Sequence, residues 1–311
     1  MIIKKDLGNN SYFIGESFNV GENFSIGSNN TIRARNFDCK DNVTIGSNNV
    51  FLVGDTLSFG DCSYIGNNND ITGINAKFGD YLYFDSNVII GHGGKMNYDS
   101  EIYIGERCMI CSYVKLNINY RIDIGNNVGI GEFVDIWTHG SYPPVLDGFP
   151  SQFGRVKIGS NVWLPAKSTV MPGIEIGDNI VIGANSIINK NLPSGSLCAG
   201  MPVKIIKENM YPKTLSFEEK LRIIKDSLKE YDKLKTFKKI DFNYLLNEEK
   251  LLLKANSGMF DFEGMTITGN LSKEDEDFRD FLRRRGMKFF TGKPFVSIIP
   301  EIYKDLINYE G

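Results

Sequence analysis

The first two thirds of the chain repeat an apolar residue at intervals of six positions. An aliphatic residue, usually followed by Gly and then by Asn, Asp or Ser, recurs from Ile14-Gly15 to Ile182-Gly183, and three such units fill residues 176–193. Each unit suits a short strand with one inward aliphatic side chain, followed by a Gly or Asn that permits a corner. The pattern therefore predicts a chain that coils as a triangular prism, with each flat side contributing one strand to a parallel sheet.

The spacing of the units predicts one long surface loop. With one anchor residue per turn, consecutive anchors lie 18 to 20 residues apart, except for a step of 34 between Ile124 and Ile158. The anchors are Ile26, Ile45, Ile65, Phe84, Ile104, Ile124, Ile158 and Ile176. The surplus falls at 138–150, which is rich in Pro and Gly, and long ordered loops are most often functional.

The character of the chain changes near residue 207, which predicts two domains, 1–206 and 207–311. Only six of the 32 glycines follow Lys207. In the second domain a capping box at Ser216–Glu219 predicts a helix over 217–235, and 275–285 predicts another. Residues 260–268 are expected to form a strand and a turn, and residues 287–290 and 295–299 are expected to be strands, followed by a short final helix. This is a small α+β domain of unassigned role, and its run Arg283–Arg285 suits either a helix C-terminus or a diphosphate or anionic glycan.

Composition excludes several classes of protein. The formal net charge of -3 gives no support to nucleic-acid binding. No apolar stretch is long enough for a transmembrane helix, and the first residues lack the apolar segment of a signal peptide, so we expect a cytoplasmic protein. The odd count of five cysteines favours free thiols, and Cys108-x-x-Cys111 has no second pair at zinc spacing.

Five segments, in this order along the chain, carry a family resemblance. They are the His-bearing loop at 138–150, Val156–Trp163, Pro172–Asn179, Ile182–Lys190 and Ala199–Lys204. They resemble the maltose, galactoside and xenobiotic O-acetyltransferase branch of the hexapeptide-repeat family, over about residues 11–206. The resemblance implies a mainly β fold, a left-handed parallel β-helix, followed here by the small α+β domain. It also implies acetyl-CoA as co-substrate without a metal, a sugar or polysaccharide acceptor, and a homotrimer with its sites between subunits.

His139, in the long loop, takes the position of the family's general base. A sugar hydroxyl is a poor nucleophile at neutral pH, and imidazole is suited to remove its proton during attack on a thioester. The base works better when its other ring nitrogen is held by a second group. Asp135 and Glu132 lie close by in sequence, and which of them, if either, orients His139 is open.

The resemblance also assigns binding residues. His92, Tyr142 and Trp163 are candidates for contact with the acceptor and the acyl group. The candidates for the coenzyme are Ala166, Ala184, Asn189, Lys190 and Lys204. The chain departs from the family at Trp163-Leu-Pro165, where a glycine is usual in place of Pro165, and the proline removes a backbone donor.

Two other functions stay open from the sequence. The same site geometry would permit N-acetylation of an amino sugar nucleotide. A non-catalytic β-helix could act as a scaffold or bind glycans. A metal-dependent hydratase of the same fold needs three histidines, and this chain has two.

Overall fold

The computed structural model describes residues 1–91 and 97–303. The chain divides into two compact units, Met1–Lys213 and Thr214–Gly311. The first unit is a parallel β-helix whose coils contribute short strands to three walls, and the second contains two helices and an antiparallel sheet. The expected mainly β fold is confirmed. No helix in the described part of the chain is long and apolar enough to cross a membrane.

Parallel pairing between successive coils defines the three walls. Wall 1 contains Ser17–Val20, the second parts of Thr31–Cys39 and Val50–Phe59, Asn75–Phe78, Glu101–Ile104, Ile122–Ile124, Val156–Ile158 and Glu175–Ile176. Wall 2 contains Ser25–Ile26, Thr44–Ile45, Tyr64–Ile65, Tyr83–Phe84, Met109–Ile110, Gly129–Ile130, Val162–Leu164, Ile180–Ile182 and Leu197–Ala199. Wall 3 contains Ser11–Gly15, the first parts of Thr31–Cys39 and Val50–Phe59, Asp70–Gly73, Ile89–Ile90, Lys115–Leu116, Asp135–Ile136, Thr169–Val170 and Ile187–Ile188.

One antiparallel strand covers the start of wall 3, and another covers the end of wall 2. Ile3–Gly8 pairs with Ser11–Gly15 at the start of wall 3, and Lys204–Lys207 pairs with Leu197–Ala199 at the end of wall 2. An exposed row of strand N–H and C=O groups would otherwise template pairing with another chain.

Two of the prism's edges are built from left-handed backbone. At the edge between walls 2 and 3, called the 2–3 edge, consecutive coils place one residue at positive φ: Asn10, Asn29, Asn48, Asn68, Asn87, Tyr113, Phe133, Lys167 and Asn185. A matching column at the edge between walls 1 and 2 includes Asn23, Asn42, Asn127, Asn161 and Asn179. Asn tolerates this conformation better than other residues with a side chain, which explains why the repeat places Asn after Gly.

The anchor predicted at Ile104 is wrong, because it lies on a different wall from the anchors before it. Phe84 of wall 2 pairs with Ile110, and Ile104 pairs with Phe78 of wall 1. A second insertion therefore lies between Ile90 of wall 3 and Glu101 of wall 1, and part of it falls outside the described residues. The repeat did not reveal it because the six-residue units of all three walls look alike, so a surplus close to one unit moves the pattern back to the preceding wall.

The second unit packs an aromatic core between its helices and its sheet. Helix α1 (Phe217–Lys238) begins at the predicted Ser216 capping box, and helix α2 (Lys273–Arg284) begins at a second box at Ser272. The antiparallel sheet is formed by Leu245–Asn247, Leu252–Lys254, Met259–Asp261 and Thr266–Thr268. The core centres on Tyr231, Phe242, Phe260, Phe278 and Phe289.

The strands predicted at 287–290 and 295–299 are wrong. The buried Arg279 guanidinium donates hydrogen bonds to the carbonyls of Phe289, Lys293 and Pro294, so these groups bind a side chain rather than a neighbouring strand. Of the predicted final helix, residues 301–303 are helical, and the residues after them lie outside the described part of the chain.

The arginine run forms ion pairs within the second unit. Arg283 and Arg284 contact Asp280, and Arg285 contacts Glu230. These pairs agree with the helix-terminus interpretation.

Candidate active site

His139 is held by a buried amide from the preceding coil. Its Nδ1 lies 2.7 Å from Oδ1 of Asn117, whose residue is only 6 % exposed. An amide oxygen can only accept a hydrogen bond, so Nδ1 carries the proton. The other nitrogen, Nε2, is then the unprotonated one in the neutral ring, and it is the atom available to accept a proton.

Two further contacts hold the histidine in place. Thr138 is fully buried, and its hydroxyl donates to the main-chain oxygen of Asn117. His139 pairs with Phe153 in a short antiparallel hairpin, His139–Gly140 with Gln152–Phe153, and the two rings stack with centroids 6.1 Å apart. The loop tip between these strands contains one 3-10 turn, Val145–Asp147. His139 thus stands on an ordered stem rather than on the loop tip.

Both insertions begin after a strand of wall 3 and end before a strand of wall 1, so both fall at the edge between these walls, called the 3–1 edge. The Gly91 N–H donates to Leu116, and the Asn117 N–H donates to Ile136 in the next coil. Arg155, which follows the long loop, makes two hydrogen bonds of 2.7 and 2.6 Å to the carboxylate of Asp99, which lies near the end of the insertion between Ile90 and Glu101. The Arg155 hydrogen bond holds the pKa of Asp99 below its ordinary value.

Neither of the carboxylates considered from the sequence hydrogen-bonds His139. Asp135 lines a hollow at the opposite edge of wall 3, the 2–3 edge, and Glu132 is exposed. Burial raises the pKa of the Asp135 carboxyl, and the positive charge of Lys115 offsets part of this effect. Asn117 was not predicted from the sequence, because its place beside His139 depends on which residues of successive coils stack.

Trp163 and the two alanines lie along wall 2 and the 2–3 edge. Trp163 is 38 % exposed, and its indole lies over Gly129, where any Cβ would come within 2.5 Å of the ring. Ala166 and Ala184 occupy corresponding places in successive coils, since the Asn185 N–H donates to the Ala166 oxygen. Within the described residues, neither alanine N–H donates a hydrogen bond to another main-chain oxygen.

Pro165 removes one main-chain hydrogen bond between neighbouring strands of wall 2. The equivalent residues in neighbouring coils, Gly131 and Gly183, donate to Leu164 and Cys198. Proline cannot donate to the facing Ile182 oxygen, and the pairing of Val162–Leu164 with Ile180–Ile182 ends at Trp163 and Val181. The departure from the family pattern therefore alters the ladder directly beside Ala166.

The remaining candidates fall into separate places. Asn189 and Lys190 follow the last strand of wall 3, so they share the 3–1 edge with His139 two coils away, about 10 Å along the axis. Lys204 is exposed and begins the antiparallel strand beside Ala199. Tyr142 is 99 % exposed at the loop tip. His92 lies outside the described residues.

One chain therefore carries two groups of candidates on different edges. His139, Asn189 and Lys190 lie at the 3–1 edge. Trp163, Ala166, Ala184 and Lys204 lie on wall 2 or at the 2–3 edge. A surface hollow of about 590 Å³ lies on wall 1 and includes none of these candidates. In the described part of the chain, no group of three His, Cys, Asp or Glu side chains is placed to hold a metal ion.

Comparison with known proteins agrees with the repeat. Residues 155–190 match the family model for the bacterial transferase hexapeptide (six repeats). An acetyltransferase of Escherichia coli K12 assigned to colanic acid biosynthesis is 31% identical over 126 residues, which cover 34% of this chain and 69% of that protein. The chain belongs to the hexapeptide-repeat acetyltransferase family. The expected family membership is thus confirmed.

Two other similar proteins match to different extents. Galactoside O-acetyltransferase of Escherichia coli K12 is 34% identical over 121 residues, which cover 36% of this chain and 56% of that protein. This chain spans between 51% and 58% of the length of the first curated relatives it matches. A hexapeptide-repeat acetyltransferase of Vibrio cholerae, solved with acetyl coenzyme A, is 20% identical at a TM-score of 0.33, and the match covers 48% of this chain and 69% of that one.

Proposed function

We propose that this protein transfers the acetyl group of acetyl-CoA to a hydroxyl of a sugar or polysaccharide, with His139 as general base. The observation that carries the proposal is the 2.7 Å hydrogen bond between His139 Nδ1 and Asn117 Oδ1. It sets the tautomer that leaves Nε2 free to accept a proton, and it fixes the plane of the ring. Relatives named for acetylation of galactosides, colanic acid and lipopolysaccharide support the class of acceptor.

The reaction follows from that tautomer. Nε2 takes the proton of the acceptor hydroxyl while its oxygen attacks the thioester carbonyl. The carbon–sulfur bond then breaks, the acetyl group remains on the acceptor as an ester, and the proton passes from the imidazolium to the departing thiolate. His139 therefore returns to its starting state in each cycle, and the products are the acetyl ester and coenzyme A.

The coenzyme is proposed to lie along the 2–3 edge. Ala166 and Ala184 offer small side chains and N–H groups that make no main-chain hydrogen bond within the described residues. Such groups suit the amides of the pantetheine arm, in the manner of a strand added to an edge. Lys204 and Lys190 are exposed cations suited to the phosphates, and Asn189 lies beside Lys190.

We further propose that the active site forms between two copies of the chain in a homotrimer. His139 lies at the 3–1 edge, whereas Trp163 lies on wall 2. One chain therefore does not bring the proposed base to the proposed coenzyme edge. A closed three-fold ring would place the 3–1 edge of one copy beside the 2–3 edge of the next. Each interface then contains one complete set of candidates.

The test measures thiol release from acetyl-CoA with a panel of saccharide acceptors. The His139→Ala variant is expected to lower kcat by roughly 10² to 10⁴. Its affinity for acetyl-CoA, measured by calorimetry, should stay within twofold of the wild type, which also serves as the control for folding. Mild alkali should cleave the product if it is an ester, whereas an amide would survive. Near wild-type turnover by a folded His139→Ala variant would reject the proposed base.

A further inference from the structure

Two bulky aromatic residues occupy the 2–3 edge at positions where most coils carry Asn. Tyr113 and Phe133 have φ of 63° and 58°. Their rings stack face to face, with centroids 5.0 Å apart and planes 3° apart, and the residues remain 49 % and 47 % exposed. Aromatic residues adopt left-handed backbone reluctantly, and such strain is concentrated at functional positions. The pair therefore places an aromatic surface toward solvent where Asn would fit the backbone better.

The aromatic pair forms one side of a polar hollow. The hollow has a volume of about 350 Å³, which falls within the range of small-molecule sites. It is also lined by Lys115, Asp135, Asn68 and Asn87. The side-chain ladder Asn10–Asn29–Asn48 stops before it, and within the described residues the amides of Asn68 and Asn87 have no side-chain partner. An aromatic face with amide, ammonium and carboxylate groups around it matches a sugar ring, which has apolar faces and a rim of hydroxyls.

The hollow continues the proposed coenzyme edge. Lys167, which follows Ala166, donates its N–H to Glu132 beside Phe133, and the Phe133 N–H donates to Ser112 beside Tyr113. Ala166, Phe133 and Tyr113 thus occupy three successive coils of one edge, about 10 Å from first to last along the axis. An acceptor that reacts near Trp163 would extend along this edge, away from Ala184, and reach the aromatic pair.

We propose that the Tyr113–Phe133 pair binds a sugar ring of the acceptor other than the ring that is acetylated. The substrate is then an oligosaccharide or a longer glycan rather than a monosaccharide. This proposal rests on the proposed function. Asp135 and Lys115 would hydrogen-bond the hydroxyls of the ring stacked on the aromatic pair, and the amides of Asn68 and Asn87 extend the polar rim by two more coils.

The experiment replaces both aromatic residues by the residue that neighbouring coils carry. In Tyr113→Asn/Phe133→Asn the backbone conformation suits the new side chains, so the coil should fold. The full chain, fluorescently labelled, is applied to an array of bacterial capsular and O-antigen oligosaccharides and their component monosaccharides. The wild type is expected to bind a subset of the oligosaccharides, and the double variant to bind the same glycans at least about tenfold more weakly, a factor that corresponds to about 1.4 kcal/mol.

Wall 2 offers a matched control. Tyr64 and Tyr83 also stack, with centroids 5.4 Å apart, and they are 40 % and 39 % exposed. The Tyr64→Thr/Tyr83→Thr variant introduces the residue of the neighbouring coil, Thr44, and removes the same kind of surface outside the hollow. Glycan binding by this control should equal that of the wild type.

Three results would overturn the proposal. The first is a wild type that binds no oligosaccharide on the array, and the second is equal binding by the Tyr113→Asn/Phe133→Asn variant. The third is a change in oligomeric state of that variant in light scattering, which would show that the aromatic pair holds the subunits together instead of binding a sugar ring.

Calorimetry with acetyl-CoA separates this proposal from the proposed function. Glycan binding that depends on the aromatic pair, without binding of acetyl-CoA, would retain the sugar site and reject the acetyltransferase. Equal acetylation of a monosaccharide by the wild type and the double variant, with no oligosaccharide bound, would retain the acetyltransferase and reject the sugar site.

Discussion

Replacing Asn117 by Leu removes the acceptor that orients His139. The variant has an apolar side chain of similar size at a site that is only 6 % exposed, so water does not readily replace the lost oxygen. The hydrogen bond from Thr138 survives, because its acceptor is the main-chain oxygen of Asn117. The substitution thus removes the 2.7 Å contact to His139 while the surrounding main-chain contacts stay in place.

The size of the effect follows from the strength of one neutral hydrogen bond. Such a bond is worth about 1 kcal/mol net, and losing it lets the ring populate the wrong tautomer and the flipped orientation. A bias of about 1 kcal/mol corresponds to a factor of about five in the population of the reactive arrangement. We therefore expect kcat to fall about fivefold for Asn117→Leu, with the KM for both substrates changed by less than about twofold, since Asn117 contacts neither in the proposed site.

The assay is the pH dependence of kcat, with Asn117→Asp as the rescue variant. A carboxylate also accepts from Nδ1, so this variant should recover most of the rate. Its negative charge favours the imidazolium, so the acid limb of the profile should move to higher pH. A role limited to stability would lower the amount of folded enzyme without moving that limb. Unchanged kcat in Asn117→Leu, or an unmoved acid limb in Asn117→Asp, would refute the orientation argument.

Three further predictions concern other parts of the chain. Lys204→Glu should raise the KM for acetyl-CoA at least about fivefold, as expected for a lost phosphate contact. The control Lys77→Glu, on wall 1, should leave this KM unchanged, and equal KM values in the two variants would contradict the assignment of Lys204. Asp99→Asn should lower the free energy of unfolding by about 1 kcal/mol at pH 7, because Arg155 is largely exposed and screening weakens the pair. Arg155 depresses the pKa of Asp99, so its contribution is fully present above the unfolded value near 3.8 and is lost as the pH falls through the folded value. Urea titrations should therefore differ at pH 7 and converge in acid, and a constant difference would reject the ion pair. Ser216→Ala should cost about 1 kcal/mol through the lost helix cap, measured by circular dichroism at 222 nm, and an unchanged midpoint would count against the cap.

The repeat and the local helix signals could be predicted because their causes are local. An inward aliphatic residue at every sixth position, with Asn or Gly at the corners, specifies a coil whatever its neighbours are. The capping box at Ser216 likewise depends on residues three positions apart, and helix α1 begins where it predicts. The loop and the flanking motifs also singled out His139 as a candidate base.

Only the tertiary structure decided which residues of successive coils stack, and the site depends on that. The units of the three walls are alike, so the repeat did not reveal the insertion between Ile90 and Glu101, and Ile104 was assigned to the wrong wall. The partner of His139 is 22 positions away, and the Tyr113–Phe133 stack joins residues 20 apart. In the second unit, too, a contact distant in sequence decided the structure. Arg279 donates to the carbonyl of Phe289, in a segment that was predicted to be a strand. Periodicity along the chain determines the coil, whereas contacts between coils depend on insertions whose length the pattern does not record.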